Sequence, residues 1–316
     1  VIFLRKQIQI FFLITLFSFF ISLYMFEAYL TFYIPFKIER QKISLAEVEG
    51  QFYDKRSTFE YYQDQMKEEN TNLMVRLTNY QNYFSQYDSN ILPLSSISNS
   101  YNVLLCNENG YYITYKTDEF GFNNPDGEWD ANEIEYFLVG DSFTFGECVN
   151  RPNDMGSVLR SISKKRVLNL GNPGNGPFAN FASVKEYLGN NVKNLIWFHY
   201  EGNDIEDTLR EKESEILLKY LKNSNFNQNL KNKQIQINKI ADEVITFSLN
   251  NRLKKDKNII FLGLTFDDLK KYLKFQKTRL MFASRPRPEI PKEFSTILKE
   301  TKLFAEKNNT NFYLVY

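Results

Sequence analysis

Ile134-Glu135-Tyr136-Phe137-Leu138-Val139-Gly140-Asp141-Ser142-Phe143-Thr144-Phe145-Gly146 is the stretch on which the fold turns. A short apolar run, Ile134 to Val139, breaks at a glycine and gives way to a helical pattern, which is how a buried parallel strand hands over to a helix. The same grammar repeats twice downstream. Arg166 to Leu170 ends in Gly171-Asn172-Pro173-Gly174, and Leu195 to Tyr200 ends in Gly202-Asn203-Asp204. Strands alternating with helices at this spacing predict an α/β domain built on a parallel sheet, with ligands at the carboxyl ends of its strands. All three polar motifs fall at such ends. Asn311 to Tyr316, a β-rich run after the helical stretch Pro291 to Asn308, reads as a fourth strand. Glu206 to Lys222 and Lys231 to Asn250 read as further long helices with charged, solvated faces.

Upstream the chain changes character. Gln7 to Phe26 is a charge-free run of twenty residues rich in Ile, Leu and Phe, and at 1.5 Å per residue it matches the ~30 Å hydrocarbon core of a bilayer. Arg5 and Lys6 precede it, which orients the N-terminus to the cytoplasm and the remainder outside, although Lys37, Arg40 and Lys42 weigh on the other side. No A-x-A site follows, so an uncleaved signal anchor over residues 1–30 is expected in preference to a removed signal peptide. A buried core helix is the alternative. Tyr24, Tyr29 and Tyr33 fit an interfacial aromatic belt. Residues 31–130 read as a polar extracytoplasmic spacer ending in a small β lead-in around Ile91 to Pro125, and residues 131–316 as the α/β domain.

Composition excludes several classes. The 316 residues carry 39 Lys+Arg against 38 Asp+Glu, so there is no basic footprint for nucleic acid. Arg285 and Arg287 lie between prolines and make a loop, not a groove-tracking surface. Two cysteines, Cys106 and Cys148, exclude a disulfide-dense scaffold and a four-cysteine metal site. Whether the two pair is open, because sequence supplies no Cα separation. No cofactor or metal is expected. The chain has one histidine, His199.

The three turns can be given chemistry from their residue types. Ser142, at a strand-to-helix junction, is the candidate nucleophile, with its own N–H turned into the site. Gly174 can bring a bare backbone N–H to a developing oxyanion, and the Asn203 amide can donate to the same oxygen. Plainer readings exist for each. Ser142 can be a helix N-cap, and Gly171, Gly174 and Gly176 a tight turn. Asp141, Glu201 and Asp204 can be read as paired carboxylates or a metal site. A dinucleotide site is disfavoured, because the glycine loop follows the second strand and no acidic residue stands at the required distance.

In these residues the chain resembles the SGNH/GDSL hydrolases. Gly140-Asp141-Ser142 resembles the first block, Asn169 to Gly174 the second, and Gly202-Asn203-Asp204 the third. The resemblance covers Ile134 to Tyr316. Leu92-Pro93-Leu94-Ser95, Cys106-Asn107-Glu108-Asn109-Gly110-Tyr111, Gly121-Phe122-Asn123-Asn124-Pro125 and Tyr200-Glu201-Gly202-Asn203-Asp204 are similar to a membrane-anchored bacterial branch found beside surface-polysaccharide genes. The resemblance implies a three-layer α/β/α fold of flavodoxin-like type, Ser142 as nucleophile, and Ser142, Gly174 and Asn203 as oxyanion donors. It implies a serine ester hydrolase; it implies little about substrate, and acyl groups on surface carbohydrate enter by family analogy only. An O-acyltransferase on envelope polysaccharide and a non-catalytic membrane-tethered scaffold are the rival readings. The family's D-x-x-H block, which supplies the base, does not occur in residues 1–316. A fragment truncated before that block is therefore the expectation, supported by Val1 at the start and a strand at the end. His199, inside the third strand, is expected to be a packed core residue.

Overall fold

The computed structural model describes residues 2–66, 71–87, 89–103, 110–257, 259–261, 264–283 and 289–316. Along the chain run α1 (Ile2–Ala28), a π-helical turn (Tyr29–Tyr33), α2 (Ile34–Val48), α3 (Thr58–Gln65), β1 (Thr71–Leu73), α4 (Leu77–Phe84), β2 (Tyr101–Val103), β3 (Thr114–Lys116), β4 (Ile134–Val139), α5 (Ser142–Phe145), α6 (Met155–Ser163), β5 (Val167–Asn169), α7 (Pro177–Tyr187), β6 (Val192–Phe198), α8 (Asp204–Glu211), α9 (Glu215–Lys222), a 3-10 turn (Leu230–Asn232), α10 (Gln234–Lys257), β7 (Ile259–Phe261), β8 (Leu264–Thr265), α11 (Phe266–Leu273), α12 (Gln276–Phe282), α13 (Lys292–Lys307) and β9 (Asn311–Val315). They fall into two units, Val1–Tyr53 with Asn250–Arg287, and Asp54–Leu249 with Pro288–Tyr316.

In the first unit the helix continues past residue 30. α1 continues through the π-helical turn into α2, and Arg5–Val48 is the one helix among the described residues long and apolar enough to cross a membrane. None of its most apolar window is buried, which removes the alternative of a core helix. An apolar window buried on no side has no internal partner for its side chains. The unit is completed by a segment more than two hundred residues away in sequence, because Tyr272 and Thr278 hydrogen-bond to Tyr24 and Glu27 of α1.

The second unit carries a mixed α/β arrangement around a four-stranded, all-parallel sheet in the order β5-β4-β6-β9. Tyr136 pairs with Val167 on one side and Asn194 on the other, and Leu195 pairs with Phe312. Phe137, Val139, Leu168, Leu195 and Trp197 form the buried face residues, and α7, which packs against β4, is buried along its whole length. Parallel strands sheltered this way read as continuous apolar runs, hence their visibility in sequence.

Three expectations require correction. Residues 31–130 are not a spacer set apart from the sheet: the chain divides at Tyr53/Asp54. Val75, Leu77, Tyr80, Leu92, Leu94 and Phe122 are buried in the same apolar core as Phe137 and Trp197. A polar average hid these few anchors, whose burial makes the lead-in part of the domain. Glu206 to Lys222 is not one helix, because Ser214 caps a new one, its Oγ accepting from the Leu217 N–H at 3.4 Å. The strand of the second block is short, only Val167–Asn169. Cys106 to Asn109 and Ser284 to Pro288 lie outside the described residues. Cys148 is not a free thiol.

Candidate functional site

In sequence order the sheet runs second, first, third, fourth. The strand order therefore reverses beside β4, and the carboxyl ends of β4 and β6 flank the crevice where open α/β sheets bind ligands. Ser142 follows β4 and Asn203 follows β6.

The Ser142 turn is set by its neighbours. Asp141, not Ser142, is the N-cap of α5, its Oδ1 accepting from the Phe143 N–H at 3.0 Å. Ser142 is thereby left as the first helical residue, half-buried. Among the described residues its hydroxyl and its N–H have no intramolecular hydrogen-bond partner. Burial pushes the Asp141 carboxyl up to about 6, opposed by the Phe143 N–H.

Two glycines shape the second turn for different reasons. At Gly171 an added Cβ would stand 2.4 Å from the Phe145 nitrogen, so only glycine lets this turn approach α5. At Gly174 the requirement is conformational. Its φ is +82°, while an added Cβ would meet only the Thr78 methyl at 3.5 Å. Asn169 buttresses the turn, donating to the Thr144 carbonyl at 2.6 Å and accepting from Gly171 N–H at 2.9 Å.

The residues that sequence reasoning missed sit on one face of α8. Arg210 donates to the Gly174 carbonyl at 2.8 Å and lies 2.7 Å from Asp207 Oδ1, while Asn203 Nδ2 donates to Asp207 Oδ2 at 3.1 Å. An unbroken polar chain thus runs from Gly174 through Arg210 and Asp207 to Asn203. Burial raises the Asp207 carboxyl and the Arg210 guanidinium opposes it. One turn on, Glu211 is fully buried and accepts from Gly176 N–H at 2.7 Å, Phe178 N–H at 2.9 Å and Ala179 N–H at 3.4 Å. It caps α7 from a neighbouring helix, and burial pushes its carboxyl up to about 8 against those donors. The signal was present: Asp207, Arg210 and Glu211 are spaced three and four apart, which puts them on one side of a helix.

His199 is not inside β6, which ends at Phe198. It is the next residue, and its N–H still donates to the Val315 carbonyl at 2.9 Å. Its Nδ1 lies 2.8 Å from Asp204 Oδ2, both side chains are buried, and its ring packs against Phe294 and Tyr316. Asp204 Oδ2 also accepts from Tyr200 N–H at 2.9 Å. The acids weighed as a carboxylate or metal cluster have separate tasks: Asp141 caps α5, Asp204 holds His199 and Tyr200, and Glu201 accepts from the Tyr316 hydroxyl. Among the described residues no group of three or more His, Cys, Asp or Glu side chains is placed to hold a metal ion.

The lead-in supports the same turns. Asn123 donates to the Phe145 carbonyl at 3.1 Å, Asn124 to the Asn169 carbonyl at 3.0 Å, and Asn172 to the Leu94 carbonyl at 3.1 Å. Beside Gly174, a cleft of about 420 Å³ opens between α4 and the α8–α9 junction, lined by Thr78, Gln81, Ser85, Arg210, Glu213 and Ser214 among others. Gln81 Oε1 is buried there without a hydrogen-bond partner. No family model matches the chain, and it matches no curated protein and no solved structure.

Proposed function

We propose that the chain is a membrane-anchored serine ester hydrolase of SGNH/GDSL type, with Ser142 as nucleophile and the N–H groups of Ser142 and Gly174 and the Asn203 amide as oxyanion donors. The observation that carries this reading is the polar chain Gly174–Arg210–Asp207–Asn203 at the strand ends beside an unpartnered Ser142 hydroxyl. It joins the Gly174 and Asn203 turns and leaves Asn203 Nδ2 a second N–H, which supports the reading. The fold reading that accompanies it is a three-layer α/β/α sandwich, supported by the parallel order β5-β4-β6-β9, whose crossovers through α6 and α7 run in opposite directions, and by the contacts of α6 with β5 and of α7 with β4.

In this reading Ser142 attacks an ester carbonyl and the tetrahedral oxyanion is held by the three donors. The general base is the D-x-x-H pair of the family pattern, which residues 1–316 do not carry. His199 is engaged by Asp204 and packed by two aromatic rings, which supports a structural role for it. The substrate class is acylated surface carbohydrate, by analogy with the resembled family. Transfer of the acyl group to a sugar hydroxyl uses the same donors, and acetyl release against acetyl transfer to a glycan acceptor separates the two. The apolar helix Arg5–Val48 would anchor the chain, with Arg5 and Lys6 on the cytoplasmic side and the sheet unit outside. The test is hydrolysis of acetylated polysaccharide by the full-length natural protein in membranes. Activity that disappears in Ser142→Ala supports the proposal, and activity unchanged by it ends it.

A further inference from the structure

Tyr24 to Phe32 of the long helix lie where a span beginning at Gln7 has covered the ~30 Å hydrocarbon core, and so mark its far boundary. A second segment is fixed to α1 at that depth. Tyr272 of α11 stacks on Tyr24 and Phe32, with ring centroids at 5.8 and 6.0 Å, and its hydroxyl donates to the Tyr24 carbonyl at 3.0 Å. Phe275 packs on Tyr24 at 4.4 Å. Fully buried Glu27 accepts from Lys277 N–H at 2.8 Å, Thr278 N–H at 2.8 Å and the Thr278 hydroxyl at 2.7 Å, which seats the start of α12 on the end of α1.

What these contacts leave outward is apolar. Phe266, Leu269 and Leu273 follow one face of α11 and are exposed. In α12, Leu280, Met281 and Phe282 are exposed as well, Met281 by 60% and Phe282 by 74%. Between them stand Lys270, Lys271, Lys274, Lys277 and Arg279 against Asp267 and Asp268, an excess of basic charge. Short helices with apolar faces and basic flanks, held at the depth where hydrocarbon gives way to headgroups, have the composition of interfacial elements.

We propose that the α11–α12 hairpin is a second membrane contact: it lies in the outer interface beside the span, with Phe266, Leu273, Met281 and Phe282 among the acyl chains and its lysines at anionic headgroups. The inference rests on the reading of Arg5–Val48 as a span and is independent of any chemistry at Ser142. The surface is continuous with the span, and a bilayer around α1 would cover it without a further partner.

The experiment uses the full chain in vesicles of phosphatidylcholine and phosphatidylglycerol containing lipids brominated near the headgroup end of the acyl chain. Phe282→Trp replaces an exposed ring by another, and its emission is read over the background of Trp129 and Trp197. The expected result is a blue-shifted emission quenched by the shallow bromolipid and poorly quenched by aqueous acrylamide. Emission quenched by acrylamide and untouched by bromolipid overturns the proposal. Ile14→Trp serves as the reporter of the span itself. If Ile14→Trp is quenched and Phe282→Trp is not, the hairpin proposal alone falls; if neither is, the span reading falls with it. In the unaltered protein, hydroxyl-radical oxidation of Met281 should be suppressed in vesicles relative to Met66, which is 55% exposed in the other unit. Equal oxidation of the two contradicts the proposal.

Discussion

The turns after β4 and β6 are built from the same materials, an aspartate next to a potentially reactive side chain at the end of a parallel strand, and they use them in opposite ways. After β4, Asp141 turns its carboxylate to the Phe143 N–H, and among the described residues the Ser142 hydroxyl has no internal partner. After β6, Asp204 closes on His199 at 2.8 Å, and Phe294 and Tyr316 pack the imidazole. One aspartate frees its neighbour and the other immobilises it. A polar group at a strand end is therefore assigned chemistry by what its neighbours leave unsatisfied, not by its residue type.

The largest effect expected from breaking this contrast is at Ser142. Ser142→Ala should lower ester hydrolysis by the full-length protein by at least about a thousand-fold, as loss of a nucleophile does, while the thermal midpoint stays unchanged because the hydroxyl makes no internal hydrogen bond. Asn203→Ala removes one of the proposed oxyanion donors and should cost about a hundred-fold in kcat with little change in KM. Steady-state kinetics on a soluble acetyl ester reads both. On the other turn, Asp204→Asn should leave kcat per folded molecule near that of the parent and lower stability by about 1–3 kcal/mol, the cost of weakening a buried polar contact, as measured by urea denaturation.

The smallest effect is a pH dependence. With its carboxyl pushed up to about 8, Glu211 in the folded protein holds a proton that the unfolded chain releases at ordinary carboxylate pH. Its contribution to stability is complete below about pH 4, near the unfolded value, and declines as pH rises through about 8. Thermal midpoints followed from pH 5 to 9 should fall more in the parent than in Glu211→Gln.

The strands, the parallel sheet and the three turns were legible because each signal is local: a short apolar run, a glycine, a helical period. The supporting residues were not. Asp207, Arg210 and Glu211 look like any solvated helix face until α8 is laid against the Gly174 turn, and only then do their partners 30 to 40 residues away appear. The β lead-in was legible as β2 and β3, but its burial was not, since Leu92, Leu94 and Phe122 are isolated apolar residues in a polar stretch whose burial depends on the sheet they meet. The hairpin that returns to Tyr24 and Glu27 is a contact across some 250 residues of sequence, invisible to any periodicity.

The most direct test of the central claim is covalent labelling of the full-length protein in its native membranes with a fluorophosphonate ester, followed by mass spectrometry of the peptide containing Gly140-Asp141-Ser142. The account predicts a phosphonyl adduct on Ser142 that is weakened in Asn203→Ala and retained in Asp204→Asn. An unlabelled Ser142 in protein that hydrolyses acetyl esters, or an adduct on another residue, would contradict it.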